Sequence, residues 1–225
     1  MRLRNVPQAD EILARSPYVR HDPAACRGRW RQHFPRPDPI RLEIGMGKGR
    51  FIAEMADLHA DLNFIGMDRY GSVLCKAAQK LEKTPPVAAN LALLCADARG
   101  VDAIFAAGEV ECIYLNFPDP WPKERHSKRR LCSDRFLPIY GGILAPGGRL
   151  ELKTDNEQFF CFAREELEAA EWRILALTGD LHRDAALMAD NVMTEYEERF
   201  TRLGHRIMKL TAAPPPHPRK ESPWH

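Results

Sequence analysis

Short apolar runs alternate along this chain with stretches in which apolar residues recur every three or four positions. Ile40-Arg41-Leu42-Glu43-Ile44 reads as a strand and runs straight into Gly45-Met46-Gly47-Lys48-Gly49. Phe51, Ile52, Met55 and Ala56 then share one helical face. The same alternation recurs. Residues 62–67 form a second strand ending at Asp68, and Val73, Leu74, Ala77, Ala78 and Leu81 mark its helix. Residues 91–95 form a third strand, with Asp97 just beyond, and residues 112–117 a fourth. Residues 136–144 are helical and are stopped by Ala145-Pro146-Gly147-Gly148; residues 150–154 form a fifth strand that ends at Asp155. Residues 172–210 add the last helices and strands. Strands separated by helices predict βαβ units, hence an α/β domain with a mostly parallel sheet and helices on both faces.

Composition narrows the class. A chain of 225 residues with 44% apolar and 28% charged residues fits a soluble globule. The net charge is only +2, so any basicity that matters is local. The first 41 residues carry nine arginines against four acids, and a second basic cluster lies at 123–130. Two such patches predict an anionic partner. We therefore read 1–38 as a basic arm, 39–212 as the catalytic domain and 213–225, rich in proline and charge, as a disordered tail. The six cysteines are scattered, with no C-x-x-C pair and no metal-ligand spacing. Cys95 and Cys112 sit in apolar runs and read as core residues. No secretory pattern is visible, and no apolar run approaches the ~18 residues of a membrane span. These features predict a cytoplasmic protein without metal; monomer and homodimer both stay open.

Ligands of open α/β sheets bind outside the carboxyl ends of the strands. Here those ends carry Glu43 with Gly45 and Gly47, then Asp68, Asp97, Asn116 with Asp119, and Asp155. One such acid is an ordinary cap or loop residue; five along one sheet edge predict a crevice. The turn is G-x-G-x-G, not the G-x-G-x-x-G of a pyrophosphate site, and Glu43 would repel phosphate. A cationic adenosine cofactor without phosphate suits it: S-adenosyl-L-methionine, with Asp68 on the ribose and Asp97 at the adenine edge.

The run Pro118-Asp119-Pro120-Trp121-Pro122-Lys123-Glu124-Arg125-His126-Ser127-Lys128-Arg129-Arg130 cannot be interior helix or central strand, because proline fixes φ and removes a donor. It predicts a stiff loop with one carboxylate beside a cation cluster. Such a loop suits chemistry performed next to a polyanion.

The motifs LEIGMGKGRF, YLNFPDPWPKERHSKRRL, LKTDN and NVMTEYEERF together resemble the bacterial tRNA (guanine-N7)-methyltransferase family, from about residue 42 to about residue 200. The proline-rich motif is far more specific than the glycine turn. The resemblance implies a class I S-adenosylmethionine-dependent (Rossmann-like) fold and methylation of the variable-loop guanosine of tRNA, position 46, at N7. It implies cofactor contacts at Glu43, Asp68, Asp97 and Asp119, within a cofactor set that also takes in Gly45, Gly47 and Asn116. Asp119 is implied as catalytic. Implied tRNA contacts are Arg125, His126, Ser127, Lys128, Arg129 and Arg130, and implied substrate contacts are Lys123, Asp155, Thr194, Glu195, Tyr196 and Glu197. Many members carry Glu where this chain has Asp68.

The residues suit that chemistry. Guanine N7 bears an in-plane lone pair and needs no general base. A carboxylate at Asp119 would hold the guanine edge and stabilise positive charge developing on the purine. In an extended segment Glu195 and Glu197 would point to one side, where acids could accept the N1–H and amine of guanine. Lys128, Arg129 and Arg130 are expected to point into solvent, toward phosphates. An inactive RNA-binding relative would have eroded cofactor acids, and a nicotinamide oxidoreductase would need G-x-G-x-x-G; this chain shows neither.

Overall fold

A computed structural model describes residues 8–83 and 89–216. Seven strands form one sheet: β1 (Ile40–Ile44), β2 (Asn63–Asp68), β3 (Leu91–Cys95), β4 (Val110–Asn116), β5 (Leu144–Thr154), β6 (Arg173–Thr178) and β7 (Met208–Ala213). Their order is β3-β2-β1-β4-β5-β7-β6. The first five run parallel; β7 is antiparallel to both β5 and β6. The order reverses between β1 and β4, which opens a crevice above their carboxyl ends. Helices α1 (Ala9–Arg15), α2 (Arg50–Leu58) and α3 (Gly71–Glu82) belong to one cluster of apolar packing; α4 (Val101–Ile104), α5 (Leu137–Ile143) and α6 (Glu157–Ala169) belong to the other. Two more helices, α7 (Ala185–Met188) and α8 (Glu195–Arg202), lie between β6 and β7 in the chain.

Burial explains the strand sequences. Every residue of β2 is buried, as a central parallel strand covered on both faces requires. In β5 the apolar Leu150 and Leu152 face one core, while Glu151 and Lys153 take the opposite side. No described helix is long and apolar enough to cross a membrane.

Three expectations change. Residues 8–38 are not a separate arm. Tyr18 and Arg20 pair with the free edge of β3 through Leu93, extending the sheet by a bridge at Val19. Trp30 is fully buried, stacks on Phe105 at 5.4 Å and donates its indole N–H to the Ile104 carbonyl at 2.9 Å. Its apolar residues thus bind the segment to the domain while Arg15, Arg27, Arg29, Arg31 and Arg36 stay exposed. Second, Ala145-Pro146-Gly147-Gly148 ends α5 but does not delay the strand: β5 begins at Leu144, which pairs with Val110, and the ladder resumes at Arg149 opposite Cys112. The extra residues are absorbed as an irregularity of the ladder. Third, Cys95 is exposed because it closes an outer strand; Cys112 is buried as expected. Of the tail, Ala213 belongs to β7 and residues 217–225 lie outside the described residues.

Candidate active site

The turn after β1 is built on glycine. Gly45 and Gly47 hold φ of 80° and 57°, a region where a β-carbon is strained. Gly45 and Met46 donate their N–H groups to the Met67 carbonyl at 2.8 and 3.0 Å, which ties the turn to the end of β2. Asp68 caps this arrangement. Its carboxylate accepts from Gly47 N at 3.2 Å and Tyr70 N at 2.9 Å. Burial raises its pKa, and those two N–H groups oppose the rise.

Glu43 sits deeper. It is 2% exposed, and one carboxylate oxygen accepts from Asn116 Nδ2 at 2.8 Å. The other, Oε2, is buried without a hydrogen-bond partner. Burial pushes its pKa up to about 7 against the Asn116 hydrogen bond and the nearby Lys153 charge. An unpaired buried carboxylate oxygen is costly, so this atom awaits a donor or a cation.

Beside the turn lies a cavity of about 690 Å³. Its lining includes Gly45, Asp68, Asp97, Asp119, Lys128 and Arg129. Ala96, Ala98, Leu131 and Phe136 supply apolar wall. Asp97 caps the turn after β3 by accepting from Arg99 N, and Arg99 also grips its carboxylate through two side-chain bonds of 2.9 and 2.8 Å. These Arg99 hydrogen bonds hold the Asp97 carboxyl below its ordinary range. Asp119 is exposed, and it has no hydrogen-bond or ion-pair partner among the described residues. Glu43, Gly47 and Asn116 are not part of this lining, whereas Gly45, Asp68, Asp97 and Asp119 are. A cavity with mixed apolar and acidic walls fits S-adenosylmethionine, which is cationic and carries hydroxyl and amine donors.

The proline-rich segment is held under strain. Phe117 and Trp121, which flank the Pro118-Asp119-Pro120 tripeptide, have φ of 50° and 42°. Non-glycine residues persist there only when their surroundings fix them. Trp121 is packed edge-on against His126 at 5.6 Å and under the Arg129 guanidinium at 5.0 Å. Residues Glu124–Arg129 form a short 3-10 helix where the sequence predicted only a loop. Desolvation, then Arg129, Arg125 and Lys123, lower the pKa of His126. Lys123, Arg125, Lys128 and Arg129 are exposed; His126 and Ser127 are half-buried.

Arg130 departs from its expected role. It is 8% exposed, donates to the Pro120 carbonyl at 3.1 Å and the Trp121 carbonyl at 3.2 Å, and lies 4.2 Å over the Phe162 ring. Its charge serves the loop backbone and does not face solvent.

The second group of expected residues gathers on the other side of Phe117. Tyr196 packs against Phe117 with the rings tilted and centroids 4.8 Å apart, stacks on Phe200 at 4.0 Å, and donates its hydroxyl to Asp155 at 3.2 Å. Burial, then Asp155, pushes the Tyr196 phenol up to about 12. The expectation that Glu195 and Glu197 point together is overturned, because the segment is helical from Glu195 onward. Thr194 and Glu197 form a capping box: Thr194 Oγ1 accepts from Glu197 N at 2.9 Å. Glu197 is fully buried and pairs with Lys153 Nζ at 2.6 Å, so its carboxylate turns inward. Glu195 turns outward, to Lys48 at 3.0 Å and Lys80 at 3.1 Å. Burial pushes the Glu195 pKa up, but these two lysines leave it below its ordinary value. Lys153 and the strained Phe117 were not singled out from sequence. The available signal was a lysine near the end of β5, opposite Asn116 in register.

Comparison with known proteins now adds to this geometry. Residues 37–210 match a family described as "Putative methyltransferase". The chain is 50% identical over 217 residues to the tRNA (guanine-N(7)-)-methyltransferase of Geobacillus kaustophilus, covering 96% of this chain and 98% of that one. It is 45% identical to the protein of the same name from Lachnoclostridium phytofermentans, covering 94% and 98%. Among solved structures, the 16S rRNA methyltransferase KamB superposes with a TM-score of 0.59 at 16% identity, over 82% of this chain and 91% of that one. That likeness is one of fold. With half of all residues shared across almost the whole of both chains, this chain belongs to the tRNA (guanine-N(7)-)-methyltransferase family.

Proposed function

We propose that the crevice binds S-adenosylmethionine and directs its methyl group to N7 of the variable-loop guanosine of tRNA. The observation that carries this reading is the placement of Asp119: an unpaired carboxylate on a strained loop, lining the acid-rimmed cavity and joined in sequence to the basic 3-10 helix.

When bound, S-adenosylmethionine supplies an electrophilic methyl on a sulfonium centre. Glu43, Gly45, Gly47, Asp68, Asp97 and Asn116 would hold it: Glu43 and Asn116 beneath, Asp68 at the ribose side, Asp97 at the adenine side. Asp119 stands between this pocket and the substrate. Its carboxylate holds the edge of the entering guanine and stabilises the positive charge that the purine gains as N7 forms its bond to carbon. No proton leaves before attack, so the reaction needs no general base. Lys123, Arg125, Lys128 and Arg129 meet backbone phosphates; Asp155, Thr194, Glu195 and Tyr196 border the substrate side. Orientation between the two sides supplies most of the remaining acceleration.

The test is mass analysis of nucleosides from bulk tRNA incubated with this protein and labelled S-adenosylmethionine. Label is expected in N7-methylguanosine. Label in methyladenosine, or in no nucleoside, overturns the reading.

A further inference from the structure

Lys153 is the most buried amine among the described lysines that the proposed chemistry leaves unused, and it is 4% exposed. All three of its protons have acceptors: Glu197 Oε2 at 2.6 Å, the Val192 carbonyl at 2.9 Å and Asn191 Oδ1 at 3.2 Å. The ammonium also lies 5.1 Å over the Phe51 ring. Burial lowers its pKa and Glu197 opposes that shift. Its side chain therefore gathers residues 191–197, the approach to α8 and its first turn.

Its main chain holds something else. The Lys153 carbonyl accepts from Phe117 N at 2.8 Å, and Lys153 is the register partner of Asn116. Phe117 is the strained residue at which the chain turns from β4 into Pro118-Asp119. The two holds meet, because the ring of Tyr196, on the α8 turn fixed by the side chain, packs in a tilted contact against that of Phe117, fixed by the main chain. A closed circuit results: Lys153 carbonyl, Phe117, Tyr196, Glu197, Lys153 ammonium.

We infer that Lys153 is a positioning residue that sets the Phe117–Tyr196 contact and, through it, the direction in which Asp119 enters the crevice. A circuit of this kind explains why a φ of 50° is stable at Phe117. It also explains a buried ion pair in a place where an apolar pair would fold as well: the lysine joins three separate acceptors, which a methionine cannot do. The inference rests on the methyl transfer proposed above, and it is read from ratios between variants and parent.

The experiment compares Lys153→Met, Tyr196→Ala and the double variant on tRNA. Each single change should lower kcat on the order of 10–100-fold, the scale of a misplacement of about 1 Å. The double variant should lose no more than the worse single one, because both act through one contact. S-adenosylmethionine affinity of Tyr196→Ala by calorimetry should stay within about threefold, and the salt slope of tRNA affinity of each variant should match the parent. Lys153→Met paired with Glu197→Leu removes the unpaired buried charge; it should recover melting temperature without recovering kcat. Losses that multiply in the double variant, or a kcat that returns together with melting temperature, would show a purely structural lysine and overturn the inference. An inactive parent protein would instead defeat the proposed function, so the two failures are distinct.

Discussion

Arg130 and its neighbours Lys128 and Arg129 look alike in sequence, yet the structure separates them into a buried brace and two exposed cations at the mouth of the cavity. Replacing Arg130 by Ala deletes charged hydrogen bonds to two backbone carbonyls and the stack on Phe162. Bonds from a charged donor contribute about 1.5–3 kcal/mol, and a desolvated cation–π contact adds about 1–2 kcal/mol. A net loss of about 3 kcal/mol follows once some contacts are replaced by water. For a domain of this size that lowers Tm by roughly 6–12 °C. Filter binding of tRNA across a salt series supplies the second readout. The slope for Arg130→Ala should equal that of the parent, because no phosphate contact is lost. Lys128→Ala should flatten it by roughly 0.7–0.9 and leave Tm nearly unchanged. Arg129→Ala should flatten it by the same amount and also lower Tm, because its guanidinium packs on the Trp121 ring. If Arg130→Ala melts like the parent and flattens the slope, the brace is wrong and the guanidinium meets phosphate.

Two further outcomes follow from the pocket. Glu43 has a folded pKa raised from 4.5 to about 7, so between those values the native protein keeps a proton that the unfolded chain has released. Stability therefore falls as pH rises through that window, by about 3 kcal/mol in all. Glu43→Gln should remove that slope, melt above the parent at pH 8, and bind S-adenosylmethionine at least about 10-fold more weakly; equal pH slopes in thermal scans, or unchanged affinity, would refute it. Asp119→Asn should cut kcat by about 10²-fold. Its Tm should stay within the small range of an exposed substitution, and steady-state kinetics beside a thermal scan would expose a loss caused by unfolding instead.

Much of this molecule was legible in the sequence. The periodicity located β1 and β3 to the residue, and β2 and β4 to within two positions, because fully covered parallel strands are short continuous apolar runs. The acids at the strand ends followed from topology alone, since every parallel strand delivers its carboxyl end to the same edge. Proline chemistry set the character of the Asp119 loop. The likeness in motifs carried the family, and comparison over nearly the whole chain confirmed it.

Tertiary structure decided what each charge does. Arg130, Glu197 and Lys153 are polar in any sequence scale, yet all three are buried. Lys153 and Glu197 meet across 44 residues of chain, and Arg130 turns back onto the carbonyls of its own loop and over Phe162. The first 38 residues read as a basic arm because their arginines outnumber their few anchors; Trp30, Tyr18 and Val19 nevertheless dock residues 8–38 onto the sheet and the core. Glu195 and Glu197 show the limit most clearly. Spacing by two gives one face in a strand and two directions in a helix, and the Thr194 capping box, with Lys153 waiting beneath, chose the helix. The order of residues thus determines which groups reach the crevice edge. Their facing, and their partners, depend on contacts between segments that sequence periodicity does not encode.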